Sequence, residues 1–222
     1  MPPRQSRPAA RSRTRAPEAT RERLVSAAFE EIHRHGYQGT GLDTILATAG
    51  VTKGALYHHF ADKADLAHAV IDEVIRGLTL QRWTGPLASY EGDPISGIEL
   101  VLDVVAAEFC DPAFADMVEL GCPLNNLAQE MSPLDEKFRV RVAEALEAWT
   151  AGYARALERA KALGVVRRDV NPAQVAAFIV AAVEGSFGMA KNAKSVATLR
   201  SNLDTLVSFL DTLRPARRGA HS

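Results

Sequence analysis

The apolar positions in the first third of the chain repeat every three and four residues, which is the period of a helix that buries one face. In the first such segment they are Val25, Ala28, Phe29 and Ile32. Pro17 suits the first turn of this helix, and Gly36 suits its C-terminal end. The pattern therefore predicts a helix that starts near residue 17 and ends before Gly36.

Two short helices and the start of a longer one are predicted next. Thr40 and Asp43 have the spacing of a capping box, and the helix they would open ends at Gly50. Thr52 can cap the following helix, and Asp62 can cap a fourth that runs into the low 80s. The apolar residues that would face inward in the two short helices are Leu42, Ile45, Leu46, Ala49, Leu56 and Phe60. Two short helices joined by a glycine-containing turn predict a helix-turn-helix.

Helical signals continue to the C-terminal end. Capping side chains precede proline at Asp93-Pro94, Ser132-Pro133 and Asn171-Pro172, and we expect a helix to open at each. The second should extend to Leu163, the third to about Asn192, and a last helix should fill residues 195–213. Because no long stretch alternates with period two, the sequence predicts an all-α fold.

The composition is that of a globular protein, with 47% hydrophobic and 24% charged residues in a chain of 222. The longest stretch without a charge, residues 170–183, is shorter than the roughly 20 residues that span a bilayer, so we expect no membrane partner. The arginine-rich residues 1–17 have no apolar run that would make them a secretory signal. Cys110 and Cys122 are too few for a disulfide framework, which favours the cytoplasm.

Charge is unevenly distributed along the chain. Residues 1–63 contain ten Lys or Arg against six Asp or Glu, whereas the remainder contains 16 against 21. A basic N-terminal part on an acidic body indicates that the N-terminal part meets a polyanion. In the second predicted short helix, Leu56 and Phe60 point inward, so Lys53, Tyr57 and His58 face outward, which is typical of a contact surface. Lys53 could reach guanine and Ala55 could touch a thymine methyl group.

The segment TGLDTILATAGVTKGALYHHFADK, residues 40–63, resembles the DNA-binding domain of the TetR family of bacterial transcriptional repressors. The match extends from residue 19 to about residue 70, and its most specific part is TKGALYHHF followed by DK. The resemblance implies a homodimer that represses transcription by binding a palindromic operator in double-stranded DNA until a small-molecule effector releases it. The DNA contacts it implies are Thr40, Thr52, Lys53, Gly54, Ala55, Tyr57, His58, His59 and Lys63. Gly41 stands where the family usually has Ser or Thr.

The expected domain organisation follows from this resemblance. Residues 1–17 form a disordered basic arm, and residues 18–76 form a three-helix DNA-binding domain whose helix-turn-helix is at about 41–60. Residues 77–213 form a larger helical domain for ligand binding and dimerisation, and residues 214–222 form a flexible basic tail.

Candidate pocket residues lie mainly in the body of the chain, where residues 121–127 combine Gly, Pro and two Asn that should interrupt the helices. The candidates are Phe109, Phe114, Met117, Cys122, Asn125, Asn126, Trp149, Tyr153 and Phe178, with Trp83 and Phe187 as further aromatic residues. Some TetR-type regulators with a similar Gly-Cys pair sense electrophiles through the thiol. Cys122 is therefore either a sensor or a small buried apolar residue.

The last two predicted helices carry more apolar surface than one domain needs, and in the family these helices pair with their copies. The candidate dimer interface is Phe178, Ile179, Ala182, Phe187, Leu199, Leu203, Leu206 and Leu210. Adjacent His58 and His59 diverge on a helix, so we expect no metal site. The sequence has no Gly-rich phosphate loop and no nucleophile elbow, so we expect neither an enzyme nor a cofactor. A helical interaction protein without DNA binding remains the alternative.

Overall fold

The computed structural model describes residues 15–111 and 114–216, and within these ranges the regular elements are all helical. The N-terminal elements are α1 (Arg15–His35), α2 (Leu42–Ala49), α3 (Lys53–His59) and α4 (Lys63–Ala69), followed by a π-helical segment (Val70–Ile75). The next are α5 (Arg76–Trp83), α6 (Gly85–Ala88), α7 (Pro94–Cys110), α8 (Ala115–Leu120) and α9 (Pro123–Met131). The last three are α10 (Glu136–Ala162), α11 (Pro172–Ala193) and α12 (Val196–Asp211). The all-α prediction is confirmed.

The chain divides into two compact units that meet at Val70 and Ile71, whereas the expected boundary was at residues 76 and 77. In the first unit, α1 packs against α2, α3 and α4. Most of the apolar positions that the sequence predicts to face inward are buried, and Ile45 and Leu56 are completely buried. Phe29 and Leu42 are only half-buried.

Most of the expected basic arm and tail lies outside the described residues. The described ends differ from the prediction, because residues 15–17 belong to α1 and Arg214 forms ion pairs with Asp93, Glu99 and Asp211.

Local capping signals determine where the helices of the first unit end. Gly36 and Gly50 adopt left-handed backbone conformations, with φ of 75° and 62°, and end α1 and α2 as predicted. The Thr52 hydroxyl accepts from the Ala55 N–H, and the Asp62 carboxylate accepts from the Asp65 N–H. The predicted caps of α3 and α4 are therefore confirmed.

The predicted capping box at Thr40 and Asp43 is wrong. Helix α2 is capped by Gly41 without a side-chain hydrogen bond. The Thr40 hydroxyl instead donates to the carbonyl oxygens of Gly36 at 2.7 Å and Glu31 at 3.1 Å. Glu31 lies in the last turns of α1 and Gly36 directly follows the helix, so the single hydroxyl hydrogen of Thr40 is shared between two backbone oxygens at this end of α1.

The second unit is built around α7, α10, α11 and α12, whose inward faces form one apolar core. The cap of α7 by Asp93 and the cap of α11 by Asn171 are as predicted. Helix α11 is long and apolar enough to cross a membrane by length and composition alone. The core helix of a soluble protein passes the same test, and α11 buries Ile179, Val183 and Phe187 in this core.

Two sequence-based boundaries in the second unit differ from the structure. Helix α10 starts at Glu136 rather than at Pro133, because the Asp135 carboxylate accepts from the N–H groups of Lys137 and Phe138. The stretch at residues 121–127 is not irregular throughout. Gly121 has a φ of 72°, but α9 then begins at Pro123, where proline is compatible with the first helical turn.

Candidate functional site

Helix α3 is held by Leu56, which is completely buried, and is followed by the buried Phe60. On its other side Lys53 and His58 are exposed, and Tyr57 has 52% of its surface accessible. An aromatic ring held on an exposed helical face gains nothing from core packing, so the face it shares with Lys53 and His58 is available for contact. We call Lys53, Tyr57 and His58 the α3 face.

The remaining predicted DNA contacts on α3 lie around this face. Thr52 and Gly54 are exposed, and Ala55 and His59 are half-buried. The rings of His58 and His59 meet edge to face with centroids 5.0 Å apart. Within the described ranges, no group of three or more His, Cys, Asp or Glu side chains converges as a metal site would require.

Thr40 and Lys63 occupy different surroundings from the α3 face. Thr40 has only 3% of its surface accessible, and its hydroxyl is used inside the first unit. The Lys63 ammonium donates to the carbonyl oxygens of Tyr37 and Thr40, at 2.8 Å each, and lies 4.2 Å from the centre of the Tyr37 ring. Both side chains donate hydrogen bonds to backbone carbonyls at the turn between α1 and α2 and so stabilise it. The sequence did not predict this role. Their contacts with DNA stay predictions that this geometry does not favour.

The core of the second unit contains a cluster of aromatic side chains. The rings of Trp83 and Trp149 stack with centroids 5.2 Å apart, and Phe187 packs edge-on against Trp83 at 6.2 Å. Phe109 meets Phe187 at 5.1 Å. We call Trp83, Phe109, Trp149 and Phe187 the aromatic cluster. The aromatic cluster joins four helices, since its rings come from α5, α7, α10 and α11.

Several polar atoms are buried in this core without a well-formed hydrogen bond to any described residue. They are Trp149 Nε1, the Tyr153 hydroxyl and both carboxylate oxygens of Glu184. Burial raises the pKa of the Tyr153 phenol, so its hydroxyl stays protonated. The Tyr153 hydroxyl still lies close enough to Trp149, and the Glu184 carboxyl close enough to the Cys122 thiol, for each contact to lower the pKa of the acidic group. Buried polar groups in folded proteins are almost always paired, and a thiol is a weak donor, so the two carboxylate oxygens of Glu184 keep the capacity to accept from a ligand.

Glu184 is a site residue that the sequence reasoning missed. It has 8% of its surface accessible, and burial raises the pKa of its carboxyl group to about 7. The available signal was that Glu184 is the only charged residue between Asp169 and Lys191, so it interrupts the apolar sequence of α11. Phe187 of the aromatic cluster follows Glu184 by one helical turn, which places both side chains on one face of α11.

Cys122 lies beside Glu184, and the two side chains affect each other's ionisation. Desolvation raises the pKa of the Cys122 thiol well above its ordinary value, and the neighbouring Glu184 carboxyl raises it further. The backbone N–H groups of Asn125 and Leu124 act in the opposite direction with less effect. The thiol is therefore protonated at neutral pH, and a protonated thiol is a poor nucleophile.

The other predicted pocket residues are not all part of this cluster. Met117 packs against the same core, and Phe114 and Asn125 are half-buried. Asn126 donates to the carbonyl oxygen of Leu120 and accepts from Lys191, so its amide links α9 to its neighbours. Phe178 is 51% exposed and packs edge to face against Phe209 on the outer surface.

Most of the predicted dimer residues are core residues of their own chain. Those buried inside the second unit are Ile179, Phe187, Leu199, Leu203, Leu206 and Leu210. Phe178 and the half-buried Ala182 remain accessible, and Met189, 60% exposed, adds a large apolar side chain to the outer surface of α11. Of the predicted dimer residues, only Phe178 and Ala182 are therefore accessible to a partner subunit.

Both units match protein-family models. Residues 24–70 match the model described as "Bacterial regulatory proteins, tetR family", and residues 102–206 match "Tetracyclin repressor-like, C-terminal domain".

Individual proteins are similar over most of their length. The transcriptional regulator AcuR of Cereibacter sphaeroides is 31% identical over 182 residues, which are 79% of this chain and 79% of AcuR. The HTH-type transcriptional repressor NemR of Escherichia coli K12 is 26% identical over 193 residues, which are 87% of this chain and 94% of NemR. A crystal structure of E. coli NemR in its reduced form covers 90% of this chain and 98% of its own, with 25% identity and a TM-score of 0.77. A TetR transcriptional regulator from Chloroflexus aurantiacus has the same coverage, 27% identity and a TM-score of 0.79.

Proposed function

Because the chain belongs to the TetR family of bacterial transcriptional regulators, we propose that it represses transcription from a palindromic operator and is released by a small molecule bound in its second unit. Family membership makes the protein a helix-turn-helix regulator rather than an enzyme, and it implies operator binding and dimerisation. The contact residues, the release by ligand and a cytoplasmic location, where operator DNA lies, are our proposals.

The exposed α3 face is the observation that carries the DNA-binding proposal. The ammonium group of Lys53 can reach guanine acceptors in the major groove, and Tyr57 and His58 add hydrogen-bonding groups one turn further along α3. Leu56 fixes the helix from behind, so the face is presented on a rigid element. Thr52, Gly54, Ala55 and His59 border it and are proposed as secondary contacts.

The buried polar atoms that have no well-formed hydrogen bond beside the aromatic cluster support the ligand-binding proposal. A small-molecule site usually combines apolar and aromatic side chains with a few convergent polar groups. In the proposed mechanism, DNA favours a separation of the two α3 helices near one turn of the duplex, about 34–36 Å. The ligand favours another separation, so by linkage each weakens the binding of the other by the same free energy.

We propose that the dimer forms through the outer surfaces of α11 and α12. Phe178, Met189 and Phe209 present apolar groups there, and the small residues Ala181 and Gly185 are exposed between them. Small residues permit close approach of two helices, so this surface suits a seam between copies. The seam uses the faces of α11 and α12 opposite to those that form the core.

Sensing of electrophiles through the Cys122 thiol is the second candidate mechanism, and the structure does not favour it. A redox-sensing cysteine requires an accessible thiol of low pKa. Cys122 has its pKa raised by burial and by Glu184. We therefore favour a reversible ligand.

The test of the DNA-binding proposal uses DNA that the wild-type protein selects from a random library. Lys53→Ala and Tyr57→Ala should each raise the Kd for this DNA by about tenfold or more, because each base contact contributes about 1–3 kcal/mol. Lys137→Ala removes the same charge from an exposed position in the second unit and should leave the Kd unchanged. Fluorescence anisotropy measures affinity, and circular dichroism and sedimentation verify folding and dimerisation. Unchanged affinity in both α3 variants would contradict the proposal.

A further inference from the structure

The carboxyl group of Glu184 lies in an apolar environment and forms no ion pair with any described residue. Lys191, the next charged residue along α11, donates to the Leu120 carbonyl oxygen at 3.1 Å and to Asn126 at 3.2 Å. Arg82, at the end of α5, is paired with Glu108 at 2.8 Å. The Cys122 thiol lies beside the carboxyl group, but a thiol cannot neutralise a carboxylate.

The buried carboxylate is energetically costly without a partner. Transfer of an ionised carboxylate to an apolar interior is unfavourable by several kcal/mol unless it is paired. The raised pKa of Glu184, about 7, reflects this cost. At pH values above 7 most molecules carry the charge, so an occupant that brings a compensating positive charge would relieve the penalty.

The aromatic cluster supplies the second half of a site for a cation. The indole rings of Trp83 and Trp149 stack on each other, and Phe187, which meets Trp83 edge-on, shares one face of α11 with Glu184. Aromatic faces attract organic cations, and Trp is the strongest of them. The Tyr153 hydroxyl and Trp149 Nε1 are further polar atoms without a well-formed bond to the described part of the chain.

We propose that Glu184 and the aromatic cluster form a ligand site for a small organic cation, an amine with an apolar body. The amine donates to the carboxylate of Glu184, and its apolar part packs against the indole and phenyl rings. The inference rests on the proposed function, because it assumes that a small molecule binds in the second unit and adds that this molecule is a cation. Above pH 7, where Glu184 is mostly ionised, the site should favour cations over anions.

The experiment compares ligands that differ only in their polar group. Benzylamine, 2-phenylethylamine and 4-phenylbutylamine are each tested beside the corresponding alcohol and carboxylate, at concentrations up to 10 mM, on the full-length dimer at pH 8. Thermal unfolding and isothermal titration calorimetry measure binding to wild type, Glu184→Gln and Glu147→Gln. Glu147 is an exposed residue of α10, so its variant controls for the loss of one negative charge.

We expect at least one amine to stabilise the wild type and the Glu147→Gln variant. The Kd of that amine should rise at least about tenfold in Glu184→Gln, because a buried charge-assisted hydrogen bond is lost. The corresponding carboxylate should not bind. Equal amine affinity in Glu184→Gln, tighter binding of carboxylates than of amines, or no binding by any amine would overturn the proposal.

A parallel measurement of operator affinity separates this inference from the proposed function. If an amine binds through Glu184 but leaves the affinity for selected DNA unchanged, the site is supported and release by this ligand is refuted. If an alcohol or a carboxylate releases the DNA and no amine binds, the protein is a ligand-released repressor and the cationic class is refuted.

Discussion

Replacing Glu184 with glutamine should stabilise the protein at pH 8 much more than at pH 5. Glutamine has nearly the shape of a protonated glutamate, so it preserves the packing of α11 in the core and removes only the ability to ionise. At pH 5 the wild-type carboxyl group is already protonated in the folded chain. At pH 8 it is ionised in an environment that disfavours the charge.

The magnitude follows from the change in pKa on folding. Burial raises the pKa of Glu184 from 4.5 to about 7, and one pKa unit corresponds to about 1.4 kcal/mol. Between these two values the folded chain binds more protons than the unfolded chain, so the free energy of unfolding falls as the pH rises. The loss is complete above pH 7 and amounts to about 3 kcal/mol per subunit, most of which develops between pH 5 and pH 8.

The assay is urea denaturation of wild type and Glu184→Gln at pH 5 and pH 8, monitored by circular dichroism. The subunit concentration is fixed, because the stability of a dimer depends on it. Cys122, the titratable group beside Glu184, stays protonated at both pH values because its pKa is raised. The difference in unfolding free energy between the two proteins should therefore report on Glu184.

Glu147→Gln serves as the control, because it removes one carboxyl group from an exposed position and leaves the core unchanged. The reasoning would be refuted if Glu184→Gln and wild type differed by the same amount at pH 5 and pH 8. It would also be refuted if the variant were less stable than wild type at pH 8, because glutamate would then be better accommodated as an anion than its neutral isostere.

Two further predictions concern residues whose position departs from the sequence-based expectation. Thr40→Val should destabilise the first unit by about 1–3 kcal/mol in urea denaturation, because it leaves the carbonyls of Gly36 and Glu31 without their donor. Thr40→Ser should be close to wild type, and a stable Thr40→Val variant with weakened DNA binding would instead assign the hydroxyl to DNA. Phe178→Glu should yield helical monomers in sedimentation experiments, whereas Ile179→Glu should lose helicity because Ile179 is buried in its own chain. A dimeric Phe178→Glu variant would place the seam elsewhere.

The sequence alone was sufficient for the helix-turn-helix and for most of the long helices, because their signals are local, but it did not predict the short helices α6, α8 and α9. Gly36, Gly50, Thr52 and Asp62 act on backbone groups within a few residues of themselves, so their roles follow from spacing. The period of the apolar positions also separates Leu56, which is buried, from the exposed α3 face. Whether that face contacts DNA stays a prediction.

Only the tertiary structure decided how the faces of α11 and α12 are used. Both sides of α11 are apolar, and periodicity cannot distinguish a side that packs inside the chain from one left for a partner. Helix α11 packs against α10 and α12, and in this packing Ile179 is buried whereas Phe178 is exposed. For the same reason, four of the predicted interface leucines are core residues.

The environment of Glu184 likewise depends on contacts between residues distant in sequence. The sequence shows a single charged residue within an apolar helix. Such a residue can lie on the exposed side of the helix as readily as in the core. Folding places the carboxyl group beside Cys122 and on the same face of α11 as Phe187, which packs against Trp83. Burial and the lack of a cation then raise the pKa of Glu184. Ionisation depends on the solvent and charges that surround a group in space, and these are determined by the packing of α9, α10 and α11.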